Sequence, residues 1–419
     1  MRKIYTFVMY LLVPVVLLRL LWKSRRSPAY RHRISERFAL RKLAPADVWV
    51  HAVSMGEVVA VTPLVERLIA QNLRVLMTTM TPTGSQQILT RFKSQIAHQY
   101  IPYDLPLCFH RFFKQVKPKM GIIMETELWP NMVYEAHSAG VPMVLANARL
   151  SDKAYVQYHR LRWFFAPMLA KFTWIGTQSE LDSQRYQSLG APSSKIIMLG
   201  NMKFDLSYPQ SNHTDLDGLK AAWGLHRPVW IAASTHEDEE AQLLAQLPRI
   251  KQAIPEILLV FAPRRPERFQ AVYALVQQQG WKTGLRSQMH TIKPDNDVVV
   301  LDSMGELLQC YRLSDYVFVG GSLVPIGGHN VLEPIAMQVP VFCGPFMQNS
   351  KSVCDELVKH QALQIGASAE DIADKLIVLY QNTAKRAQQI EHASAVLRAN
   401  SGAVARYWGK IEEVLQGSM

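Results

Sequence analysis

Cysteine is scarce in this 419-residue chain, and its four copies, Cys108, Cys310, Cys343 and Cys354, show no CxxC or Cys/His spacing. That scatter argues against a zinc site and a disulfide-stapled scaffold, and fits buried free thiols in a reducing compartment. No internal repeat and no low-complexity tract is present, which sets aside solenoids and disordered chains. Net charge is also scarce outside the N-terminus. Eleven Lys/Arg and only two acids, Glu36 and Asp47, stand in residues 1–50, which carry +9 of the formal +12. A body with so little net charge has no basic groove, so a nucleic-acid partner is not expected. No glycine-rich stretch ends in Gly-Lys-Ser/Thr, which excludes a Walker loop.

What is present begins with an apolar run, Ile4 to Trp22, IYTFVMYLLVPVVLLRLLW. It is nearly long enough to cross a hydrocarbon core of about 30 Å. Pro14 and Arg19 interrupt it, so a kinked helix lying in one leaflet is the alternative to a span, and a buried core helix the alternative to both. No small-residue cleavage site follows. Instead come Lys23, Arg25, Arg26, Arg31, Arg33 and Arg37, a cluster expected to face anionic lipid on the cytoplasmic side. Residues 1–37 are therefore expected to form a membrane anchor with its basic segment.

From Asp47 onward, short apolar runs alternate with amphipathic stretches. The pattern predicts strands at Val48–Val53, Arg74–Thr78, Met120–Met124, Pro142–Ala146, Trp174–Gly176 and Lys195–Met198, with helices such as Glu57–Ala70 and Trp129–Ala139 between them. This βαβ rhythm belongs to a doubly wound parallel sheet. It stops at a polar, turn-rich stretch, Asp205–Lys220, and resumes with strands at Val229–Ala233, Ile257–Ala262, Val298–Leu301, Tyr316–Val319 and Val339–Phe342. The expected fold class is thus α/β, with two Rossmann-like domains, 38–205 and 229–400, joined by a linker at 206–228. A C-terminal helix, 401–419, is free to pack back on the first domain. Ligands are expected at the carboxyl ends of the strands, in a cleft between the domains.

Seven strings at such ends could carry chemistry. In His51-Ala52-Val53-Ser54-Met55-Gly56-Glu57, Glu57 is either a favourable first-turn carboxylate or a general base for a sugar hydroxyl. In Glu125-Thr126-Glu127-Leu128-Trp129-Pro130-Asn131, Glu125 is read as a helix cap and Glu127 as the group facing ligand. Lys203, in Gly200-Asn201-Met202-Lys203-Phe204-Asp205, is either a solvated linker residue or a mobile charge at the domain edge. In Ser234-Thr235-His236-Glu237, Thr235 would cap a helix opened by Glu237 and Asp238. Pro263-Arg264-Arg265-Pro266-Glu267-Arg268 offers arginines at a strand end, of which Arg264 is favoured for a phosphate. The stretch Gly320 to Pro334, GGSLVPIGGHNVLEP, holds four glycines in a strand-to-helix turn, expected to bring backbone N–H groups close to a phosphate. Asn330 and Glu333 would form a capping box there, or Glu333 would bond ribose hydroxyls. Met304-Gly305-Glu306 could wall a base pocket.

Together these strings resemble the 3-deoxy-D-manno-octulosonate (Kdo) transferase family. SPAYRHR, SMGE, TMTPTG, YDLP, METELWPN, ANARLS, GNMKFD, STHEDEE, APRRPERF, MGELL and GGSLVPIGGHNVLEP run in order along the chain. The resemblance implies a GT-B fold, with the first domain binding the acceptor and the second CMP-Kdo. It implies transfer of Kdo to a tetraacylated lipid A precursor at the inner membrane. It makes Glu57 the catalytic base and Glu127 and Lys203 the groups supporting the transition state. It assigns CMP contacts to Pro263 and Arg264, to Met304, Gly305 and Glu306, and to Asn330, Val331, Leu332 and Glu333. SMGE stands for the family's commoner SVGE and GNMKF for GSLKF, neither removing a functional group. CMP leaves with one phosphate, so no metal or other cofactor is expected. The rival readings are a UDP-sugar epimerase or transferase on the same architecture, and a catalytically silent lipid carrier.

Overall fold

The computed structural model describes residues 1–26, 32–205, 216–224 and 226–417. They form two compact units, residues 1–207 with 400–419, and residues 208–399. Each is built on a seven-stranded, all-parallel sheet.

The first sheet comprises β1 (Val48–His51), β2 (Val75–Thr79), β3 (Ala97–Tyr100), β4 (Met120–Met124), β5 (Met143–Ala148), β6 (Trp174–Thr177) and β7 (Ile196–Met198), in the order β3-β2-β1-β4-β5-β6-β7. Parallel strands covered on both faces must be apolar throughout, and β1, β2, β4, β5 and β6 are buried at every position. Trp49, Phe109, Phe112 and Leu145 fill one face, and Val50, Val61, Leu64 and Val144 the other. The C-terminal helix Ala403–Gly417 closes that second face. The Tyr407 hydroxyl donates to the Gly176 carbonyl at 2.8 Å and accepts from the Asn147 N–H at 3.0 Å. The Asp205 carboxylate accepts from the N–H groups of Gly402 and Val404.

The second sheet comprises β8 (Val229–Thr235), β9 (Leu258–Pro263), β10 (Thr283–Leu285), β11 (Val298–Val300), β12 (Tyr316–Val319), β13 (Val341–Cys343) and β14 (Gln364–Ile365), in the order β10-β11-β9-β8-β12-β13-β14. Strand order reverses between β1 and β4 in the first sheet, and between β8 and β12 in the second. In open α/β sheets those are the places where ligands bind.

Two expectations need correction here. Of the stretch 206–228 read as a linker, residues 206–215 lie outside the described residues, but Leu216–Trp223 is a helix whose Leu219 and Trp223 are buried. The basic cluster after the apolar run is not uniformly lipid-facing either. Arg37 is buried, its guanidinium donating to the Met80 carbonyl and lying 4.3 Å from the Tyr100 ring centre. Arg33 donates to Glu36 at 2.8 Å, to Ser85 and to the His98 carbonyl. The buried Glu36 carboxylate between them also accepts from Arg41 and from the Tyr100 N–H, so part of this segment's positive charge is paired within the fold. Arg31 lies outside the described residues. The apolar run itself is helical over Arg2–Arg26, and Arg2–Trp22, with mean hydropathy 2.2, is long and apolar enough to cross a membrane.

Candidate active site

At the switch point of the first sheet, β1 turns into the helix Met55–Ala70. Ser54 is its N-cap and accepts from the Glu57 N–H. Glu57 answers: one carboxylate oxygen accepts from the Val53 N–H at 2.8 Å, the other from the Ser54 hydroxyl at 2.9 Å. This is a capping arrangement, so the helix-start reading of Glu57 is realised. Capping does not exclude chemistry, because the same carboxylate is only partly buried and its acidity is abnormal. Burial, then the negative charge of Glu125, then that of Glu127, push its pKa up to about 7, against the pull of the Val53 and Ser54 bonds.

Glu125 stands at the end of β4 with φ +55°, a left-handed conformation rare for this residue. It caps nothing, contrary to the sequence expectation, because the next helix, Pro130–Ser138, starts from Trp129. Glu125 instead accepts from Arg149 Nε at 2.9 Å and pairs with Lys203 Nζ at 3.0 Å. Burial favours its neutral form, but Lys203 and Arg149 outweigh that and hold it below the usual carboxylate range. Lys203 is therefore a fixed partner of a buried acid rather than a mobile charge at a domain edge. Glu127 accepts from the indole N–H of Trp129 at 2.8 Å, and burial, assisted by Glu125, raises its pKa to about 7. The first unit thus holds one carboxylate kept below the usual range by two cations, together with two carboxyl groups whose pKa values are raised to about 7. Arg149, absent from the sequence prediction, had a signal in its position just after β5 in the ANARLS string.

In the second unit, β8 ends in a bulge at Ser234, φ +54°, and leads to the helix Glu239–Ala253. The acids of its first turn are Glu239 and Glu240, not Glu237 and Asp238, and Thr235 bonds Glu240 rather than a backbone N–H. Glu239 is fully buried. Its carboxylate accepts from the N–H groups of His236, Gly321, Ser322 and Leu323, at 2.7 to 2.9 Å. The amides of Gly321, Ser322 and Leu323 are thus held by an internal carboxylate, and those of Gly320, Gly327 and Gly328 by backbone carbonyls, so the four glycines do not turn their amides outward to a phosphate as expected. The glycines answer to packing. A Cβ on Gly320 would stand 2.7 Å from the Ser234 carbonyl oxygen, and one on Gly328 2.1 Å from Met347 Sδ, where φ is also +73°.

What faces outward around this turn is a set of side chains. His236 and His329 lie edge to edge, their rings 5° from parallel and their Nε2 atoms 2.9 Å apart, so one ring donates and the other accepts. Burial and then Arg264 depress the pKa of His329 to about 4. Burial, followed by Arg265, lowers that of His236. Among the described residues the exposed Arg264 side chain has no hydrogen-bond or ion-pair partner, whereas Arg268 grips Glu240 with two bonds of 3.0 and 3.1 Å. Of the neighbouring arginines, then, Arg264 is available and Arg268 is structural. Glu333 lies within the field of Arg264, and burial raises its pKa. Asn330 accepts from the Leu332 N–H at 3.0 Å and donates to Glu333 at 3.1 Å, a side-chain version of the expected box. Val331 and Leu332 are buried, so they could meet a ligand only through their backbone. Pro263 ends β9 beside Arg264. Met304 is exposed after β11, Gly305 has φ +88°, and Glu306 is tied to Arg286 at 2.7 Å and to Ser303, not to this cluster. Among the described residues no three His, Cys, Asp or Glu side chains group as a metal-ligand set.

Two doubly wound, all-parallel α/β units define a GT-B-type fold. A solved UDP-GlcNAc 2-epimerase from Neisseria meningitidis shares this fold, with TM-score 0.58 and 12% identity over 88% of this chain and 99% of that one. Residues 32–206 match the family described as 3-Deoxy-D-manno-octulosonic-acid transferase (kdotransferase). Over 422 residues the chain is 36% identical to the 3-deoxy-D-manno-octulosonic acid transferase of Haemophilus influenzae, covering 99% of each. It is 32% identical to the enzyme of that name from Bordetella pertussis, again over 99% of each. The chain belongs to the Kdo transferase family of glycosyltransferases.

Proposed function

We propose that this enzyme moves Kdo from CMP-Kdo to a hydroxyl of a tetraacylated lipid A precursor, at the cytoplasmic face of a bacterial inner membrane, with Glu57 as general base. The observation that carries this reading is the Glu57 carboxyl, fixed at a helix start and lifted to about 7 by burial and Glu125. A base with its pKa near the working pH is both available and strong enough to assist a sugar hydroxyl. Glu57 takes the hydroxyl proton as the acceptor oxygen bonds to the anomeric carbon of Kdo, and the bond from that carbon to the CMP phosphate oxygen breaks. Glu127 and the Lys203–Glu125–Arg149 group support the transition state on the acceptor side. Arg264, Asn330 and Glu333 hold the nucleotide, with the guanidinium meeting the phosphate as its charge develops. One phosphate met by a guanidinium makes no demand for a metal, so transfer should survive chelation by EDTA. The apolar N-terminal helix supports the membrane location.

Glu57→Gln tests the central claim. Glutamine keeps an acceptor for the cap, so the fold and CMP titration should stay as in the parent, while turnover falls ~10²–10⁴-fold. Near-parental turnover in the purified variant would overturn the assignment.

A further inference from the structure

The helix Arg2–Arg26 has two unlike faces. Ile4, Phe7, Leu11, Val15, Leu18 and Leu21 are exposed along one of them. On the other, Met9, Val13 and Val16 pack against the first unit's core, and the Tyr5 ring lies 5.7 Å from that of Phe164. The polar residues of the inner face are all engaged. Arg2 Nε donates to Asn131 Oδ1 at 3.1 Å, and the Thr6 hydroxyl donates to the same oxygen at 2.8 Å. Arg2 also pairs with Glu135, and the Tyr5 hydroxyl donates to Asp104 at 2.8 Å.

Their partners form one object. Buried Asp104 accepts from the N–H groups of Asn131 and Met132, at 3.2 and 2.7 Å, and from the Asn131 side chain through its carbonyl at 2.8 Å. It thereby caps the helix Pro130–Ser138, whose N-cap is Trp129. Trp129 in turn donates its indole N–H to Glu127. A continuous set of bonds therefore runs from Arg2, Tyr5 and Thr6, through the start of that helix, to the Glu127 carboxylate. Anchoring in lipid requires none of these bonds, and the outward face alone would supply it.

We propose that the N-terminal helix is a positioning element of the transfer site: its inner polar residues fix the helix start that orients Trp129 and Glu127, while its outer face rests in lipid. This rests on the reading of Glu127 as a working group of the acceptor side. Attachment and turnover are then coupled, and a change on the inner face alters turnover without altering attachment.

The test uses the full chain in detergent micelles, with a short-chain lipid A precursor as acceptor. Tyr5→Phe with Thr6→Val removes two hydroxyl bonds and leaves the outer face intact. The double variant should still partition into anionic vesicles and keep the parent's KM for the donor. Its kcat should fall ~10-fold or more, as small misplacements do, and the pH–rate profile should shift with the altered surroundings of Glu127. Thr6→Ser alone should keep parental kcat. Should the double variant melt early, Tyr5→Phe alone carries the same test. Parental kcat and pH profile in these variants, beside an inactive Glu127→Gln, would overturn the proposal while leaving Glu127 in its role. Parental activity in Glu127→Gln would instead remove the Glu127 reading, and this inference with it.

Discussion

At the reversal of strand order the first unit gathers Glu57, Glu125 and Glu127, and the second gathers His236, Arg264 and His329. The backbone address is the same in both sheets, so topology says where chemistry happens and nothing about its kind. The kind follows from how each unit treats charge. The first neutralises one carboxylate with Lys203 and Arg149, leaving two others near half-ionisation. The second spends Arg268 on buried Glu240 and, among the described residues, keeps Arg264 unpaired beside two imidazoles whose pKa values are lowered. Proton transfer fits the first arrangement and anion recognition the second.

The sharpest way to break this contrast is to remove a bracing cation. Lys203→Met leaves Glu125 buried with Arg149 alone, and loss of one partner of a buried pair costs about 3–5 kcal/mol. Denaturant melts should show that loss in the first unit, with Lys203→Arg largely preserved; a parental melt for Lys203→Met would mean the pair is dispensable. On the second unit the prediction divides two neighbours. Arg264→Ala should weaken CMP by about 1.5–3 kcal/mol in calorimetric titration with no change in melting, whereas Arg268→Ala should lower the melt. Equal effects from both would erase the distinction between an available and a structural arginine.

The smallest effect is the pH dependence, and it has opposite signs in the two units. Glu57 and Glu127 have folded pKa values of about 7, above the ordinary 4.5, so the folded state binds the extra protons. Their contribution to stability is full below about 4.5 and is lost as pH rises through 7. His329 is depressed to about 4 from 6.5, so its contribution is present above 6.5 and is lost as pH falls toward 4. Between pH 5 and 8, Glu127→Gln should flatten the parent's loss of stability by about 1–2 kcal/mol, discounted for the part of the carboxyl facing water. His329→Gln should leave that loss unchanged above pH 6.5. Melts of both variants across that range decide it.

How legible this was in the sequence depended on what each residue needed around it. The central strands read directly because burial on both faces makes them apolar runs. The outer strands β3 (Ala-His-Gln-Tyr), β10 (Thr-Gly-Leu) and β14 (Gln-Ile) are short and partly exposed, with no pattern to detect. Glu57, Glu127 and Arg264 were accessible to sequence reasoning because each follows a strand end. The role of Glu125 was not, since it depends on Arg149 and Lys203, 24 and 78 positions away and brought close only by β5 and the end of the sheet. Arg33 and Arg37 show the same lesson from the other side. A run of like charges looks solvated until the partners fold around it, and the one internal hint was Glu36.

Glu239 has a practical consequence for inhibitor design. Its carboxylate occupies four backbone N–H groups of the region where a phosphate-binding loop would present its own. A compound carrying a pyrophosphate mimic shaped for an amide nest finds that nest already filled by the protein itself. Selectivity against P-loop and dinucleotide-binding enzymes would therefore come from addressing the guanidinium of Arg264 and the paired imidazoles, groups that such loops do not supply.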